Sequence, residues 1–160
     1  FNERCMIRLL GDMRSYNYVV IPIHDFDQVI YKIRAIDFDQ QCFEGKFSVY
    51  RPQFFKENKP MMDLVRNKLK SDSITQYKIE ERSTISRRLI ISDDRMNLLV
   101  KIMKQDKISS KQNVDNLKQE IFKFTNEESF IRSKSMGELM EKTLDYLKRN
   151  YQNVSLIDLI

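Results

Sequence analysis

The sequence predicts an α+β fold that is mostly helical, with a short antiparallel β-hairpin near the N-terminus followed by four or five packed helices. Three observations carry that reading. Val, Ile and Tyr concentrate between Tyr18 and Ile36 around a polar break, the composition of paired strands. From about residue 57 onward apolar residues instead recur at spacings of three and four, the period of helices with one buried face. Three glycines and three prolines in 160 residues leave no low-complexity linker and no fixed-period repeat.

Taken in order, Tyr18–Ile23 and Val29–Ile36 read as the two strands, with HDFDQ between them as a polar turn. The aromatic-rich stretch after Asp39, with Phe47, Tyr50, Phe54 and Phe55, reads as a loop anchored on the helical part. Pro60 opens a helix bearing Met61, Met62, Val65 and Leu69, since a first turn does not need the N–H that proline lacks. Ser73 to about Leu89 reads as a further helix with a weaker pattern.

Ser92, Asp93 and Asp94 then precede a stripe of Met96, Leu99, Val100 and Met103, a capping serine with an acidic first turn. Val114, Leu117, Ile121 and Phe124 form another stripe. Ser135-Met136-Gly137-Glu138 is a capping box ahead of Leu139, Met140, Leu144 and Leu147. The methionines fall on faces these helices need to bury, so they read as core. SLIDLI at the end fits a strand, a docked tail or another helical turn.

The length fits one domain, residues 1–160, divided into a hairpin-and-loop part (1–56) and a helical part (57–160). FNERCMIRLL carries no initiator Met and no signal-peptide organisation, so the chain is expected to start inside a longer protein. No apolar run approaches the roughly eighteen residues that cross a bilayer. Two cysteines and one histidine, His24, exclude a disulfide framework and a histidine-based zinc site, and favour a cytoplasmic setting. His24 beside Asp25 reads as a turn pair, because no nucleophile accompanies it.

The polar residues of the first half fall at the strand ends. Asp12 and Asn17 bound a loop leading into the first strand, and Asp37 and Asp39 end the second. In a hairpin, the entry of one strand and the exit of the other share an edge, so these side chains should converge. Grouped carboxylate and amide oxygens suit a hard cation such as magnesium, which keeps waters for a phosphate to displace. The same residue types also fit the bland roles of shaping a turn and of solvated strand-end charges.

Asp-x-x-x-x-Asn entering an apolar strand, followed by a strand ending Ile-Asp-Phe-Asp, resembles the catalytic loop and metal-binding segment of the protein-kinase-like fold. Gly11 before Asp12, and IDFD in place of Asp-Phe-Gly, bring it nearer to aminoglycoside phosphotransferases and choline-kinase-like small-molecule kinases. The resemblance implies Asp12 as catalytic base, Asn17 and Asp37 as holders of Mg2+ and of ATP through it, and Asp39 as an auxiliary metal ligand. It implies further that the helical remainder is a C-terminal lobe, that its partner is an N-terminal lobe of the same protein, and that a hydroxyl group is the phosphoryl acceptor. Two departures stand out: Leu10 lies where the family usually has a histidine, and only ten residues precede Gly11.

A different reading makes the chain a non-catalytic helical interaction module. Nine Lys or Arg against five Asp or Glu between Lys78 and Lys111 would then meet an acidic partner or nucleic acid. No nucleic-acid-binding motif is present and no aromatics interleave with the basic residues, which argues against nucleic acid.

Overall fold

The structure, a computed structural model, describes residues 1–150; the expectation for SLIDLI falls outside them. The α+β expectation holds. The order is α1 (Asn2–Ile7), β1 (Tyr18–Asp25), β2 (Gln28–Ala35), three short 3-10 turns between Phe47 and Asn58, then α2 (Lys59–Lys68), α3 (Ser71–Ile91), α4 (Asp93–Gln105), α5 (Lys111–Thr125) and α6 (Met136–Asn150). The switch to helices falls where the hydrophobic period changes. α1 has no counterpart in the sequence reading, because six residues are too few to display a period.

β1 and β2 pair antiparallel from Tyr18 opposite Ala35 to Asp25 opposite Gln28. HDFDQ is therefore mostly strand, and the turn shrinks to Phe26 and Asp27, with Phe26 left-handed (φ 52°). The strands alternate polar and apolar residues too weakly to define one buried face. Val20, Ile23, Ile30 and Tyr31 are all exposed, and Phe26 projects fully from the tip.

The core lies in the helical body. α6 crosses α3, α4 and α1 and contributes Leu139, Met140, Leu144 and Leu147, which meet Val114, Leu117 and Ile121 of α5 and Leu9, Phe47, Tyr50 and Phe130 from the loops. Gly137 lets α6 approach α4 closely, since a Cβ there would stand 2.5 Å from the Lys104 backbone nitrogen. None of the eight methionines is exposed, which agrees with the expectation for those on the helical stripes.

The helix caps differ in detail from expectation. Ser135 accepts from the Glu138 N–H at 3.2 Å, but the Glu138 carboxylate accepts from the Lys134 N–H, one residue outside the reciprocal box. Ser92 makes no side-chain capping bond, whereas Ser110 caps α5 by accepting from the Asn113 N–H at 3.1 Å. On α3 the buried residues are Arg82, Ser86 and Leu89, two of them polar, which explains its weak apolar pattern. Arg82 is wholly buried and donates to Glu3 of α1 at 2.8 Å, while Arg4 pairs with Glu81 on the preceding position.

Candidate functional site

The segment carrying Asp12 and the segment carrying Asp37 are held together at both ends. At one end Leu10 forms an antiparallel bridge with Gln41, and the Cys42 N–H donates to the Leu9 carbonyl at 2.9 Å. Gly11 is required here: an added Cβ would lie 2.7 Å from the Gln40 carbonyl oxygen. At the other end the Ile36 N–H donates to the Asn17 carbonyl at 3.0 Å, one residue beyond the last strand pair. Two left-handed residues, Leu9 (φ 48°) and Asp12 (φ 53°), give the chain the sharp changes of direction between α1 and β1.

Inside this frame Asn17 is buried. Its Nδ2 donates to the Asp12 backbone carbonyl at 2.7 Å and lies 3.4 Å from Asp12 Oδ2. Asp12 Oδ1 accepts from Arg14 Nε at 2.7 Å, and Arg14 also reaches Glu57 at 2.9 Å. Across the frame, Asp37 Oδ1 accepts from the Asp39 N–H at 3.2 Å, an Asx turn.

The Asp39 carboxyl has its pKa raised, first by lost hydration, then by the charge and hydrogen bond of Asp37, and further by the charge of Asp12. Asn17 is bonded to Asp12 on one side of the frame, and Asp39 to Asp37 on the other. The oxygen donors are of the kind magnesium takes, although among the described residues no three His, Cys, Asp or Glu side chains are grouped to hold a metal ion by themselves.

The sequence reading missed the residue that supports this frame. Asn58, on the 3-10 turn just before α2, is buried and uses both ends of its amide. Nδ2 donates to the Met13 carbonyl at 2.9 Å and the Pro52 carbonyl at 2.8 Å, and Oδ1 accepts from the Tyr18 hydroxyl at 2.8 Å. It ties the Asp12 loop and the start of β1 to the segment before α2. A lone Asn in a polar stretch gives no signal of this in sequence.

The other groups that the sequence singled out have structural roles. Phe47 and Tyr50 anchor the loop as expected, but Phe54 is exposed under Arg51 and Phe55 lies under Arg14. Cys5 and Cys42 are buried and free, and burial pushes both thiols up to about 12, which makes them poor nucleophiles. His24 lies exposed in β1 opposite Val29. In the basic stretch, Arg82 is spent on Glu3 and Lys104 on Glu141 at 2.9 Å. No described helix is long and apolar enough to cross a membrane. Compared with known proteins, the chain matches no family model, no curated protein and no solved structure.

Proposed function

We propose that this chain is the C-terminal lobe of a kinase-like phosphotransferase, moving a phosphoryl group from ATP-Mg to a hydroxyl acceptor and depending on an upstream nucleotide-binding lobe. The observation that carries the reading is the double tie between the Asp12–Asn17 loop and the segment of Asp37 and Asp39. A solvated turn and an unrelated strand end do not need to be fastened to each other on both sides. An exposed hairpin rising from a helical body is in keeping with a lobe that covers it.

In this reading Asn17 Oδ1 and the Asp37 carboxylate would hold Mg2+, with Asp39 assisting, and the ion would neutralise charge on the transferring phosphoryl group. Asp12 accepts the acceptor's hydroxyl proton. Arg14, bonded to Asp12, orients that carboxylate and adds positive charge where a phosphate would arrive. Asn58 acts through the Met13 carbonyl as a positioning residue.

The test is Mg-ATP turnover by the protein expressed with its upstream sequence. Asp12→Asn should lower kcat by about a hundredfold or more with little change in folding. Equal turnover by wild type and Asp12→Asn would overturn the assignment of Asp12, and equal turnover by Asp37→Asn would overturn the metal site.

A further inference from the structure

We infer that the cleft between β2, α1 and α3 is a binding site for a phosphate-bearing small molecule, distinct from the Asp12 and Asp37 frame and independent of the kinase-like reading. The cleft encloses about 540 Å³, and Arg4, Arg8, Lys32, Arg34 and Arg88 all line it. Five cations thus share one concave space with an apolar floor that includes Leu10, Ile33 and Phe38. That combination suits a ligand with clustered negative charge and an apolar part.

The charge in the cleft is largely uncompensated. Arg4 is paired with Glu81, whose own pKa is lowered: burial pushes it up, and Arg4, then the charges of the N-terminal amine and Arg88, more than offset this. Among the described residues no carboxylate forms an ion pair with Arg8, Lys32, Arg34 or Arg88. Arg8 lies over the Phe38 ring, 5.6 Å from its centroid. An anion bound in the cleft would have Arg8, Lys32, Arg34 and Arg88 as partners that no direct ion pair engages.

An ordinary solvated face spreads its cations along one helix. Here they come from three elements that are distant in sequence. Lys32 and Arg34 share one face of β2, two residues apart. Arg4 and Arg8 lie one helical turn apart at α1, and Arg88 comes from the last turn of α3. Phe38 joins the lining from the segment after β2, while Asp12, Asp37 and Asp39 are not among the lining residues.

The experiment is calorimetric titration of the 160-residue chain with pyrophosphate, beside Lys32→Glu/Arg34→Glu and a control, Arg95→Glu/Lys101→Glu, which makes the same charge change on exposed α4 outside the cleft. Pyrophosphate should bind wild type and the control alike, and the cleft variant roughly tenfold or more weakly, with all three melting cooperatively. Absence of binding to wild type, or an equal loss in the control, would overturn the proposal. So would a short RNA binding more tightly than pyrophosphate through the same residues, since it would make the cleft part of a nucleic-acid surface.

Discussion

The helical body and the hairpin are built from similar apolar residues that meet opposite fates. In the body, Leu117 and Leu139 are completely buried, and Ile121, Leu144 and Leu147 nearly so. In the hairpin, Ile23, Val29, Ile30 and Tyr31 retain from 42% to 68% of their surface in water. A two-stranded hairpin is marginal on its own, and this one meets the body at its base, through Ala35 beside Cys5, Leu10 and Met13 and through Tyr18 on Phe1 and Asn58. Apolar strand residues that do not serve the chain's own core are suited to being covered from outside. The candidate site lies at the junction of the two regions, where the rigid body fixes the bases of the strands.

The contrast is sharpest under mutation. The largest loss should follow Arg82→Ala, which leaves Glu3 buried without its partner and removes about 3–5 kcal/mol of stability in urea unfolding. Leu139→Ala, at a fully buried site on α6, should remove about 2–5 kcal/mol in the same assay. Gly11→Ala comes next, at about 1–3 kcal/mol, because its Cβ collides with the Gln40 carbonyl. Its more telling effect should be faster hydrogen exchange at the Cys42 amide, whose bond to Leu9 closes the frame.

Ile23→Thr in the hairpin should shift stability by no more than about 0.5 kcal/mol. A loss there as large as that of Leu139→Ala would erase the distinction between the two regions. The smallest effect concerns pH. The folded pKa of Asp39 lies above its ordinary value of 3.8, so the folded state holds the extra proton just above that pH. Stability therefore falls as pH rises through this window and stays lower at neutrality. Asp39→Asn should flatten that part of the stability profile, as followed by circular dichroism melts.

Much of the fold was legible because most of the chain is locally consistent. The stripe Val114, Leu117, Ile121 reads as α5 and buries as one face, and α6 announces itself through Ser135 and Glu138. Three features were not legible, each for a physical reason. α1 is shorter than two turns. α3 buries Arg82 and Ser86, so its inner face looks polar in sequence. Tyr31 and Ile23 have strand composition, but composition says nothing about whether the far side of a strand is covered.

The candidate site divides in the same way. The backbone approach of the Asp12–Asn17 loop to the Asp37–Asp39 segment followed from hairpin logic, because strand ends must share an edge. The bonds of Arg14 to Glu57 and of Asn58 to the Met13 carbonyl join residues 43 and 45 positions apart in the chain, and no local pattern encodes that.

The central claim is that the two fastened acidic segments form one cation site, and paramagnetic broadening of backbone amide signals by Mn2+, an oxygen-seeking stand-in for Mg2+, tests it most directly. At the lowest Mn2+ concentrations the signals of Asn17, Asp37 and Asp39 should broaden first and together, and Asp37→Asn should abolish that focus. Broadening that begins elsewhere on the surface, or that is unchanged by Asp37→Asn, would contradict the account.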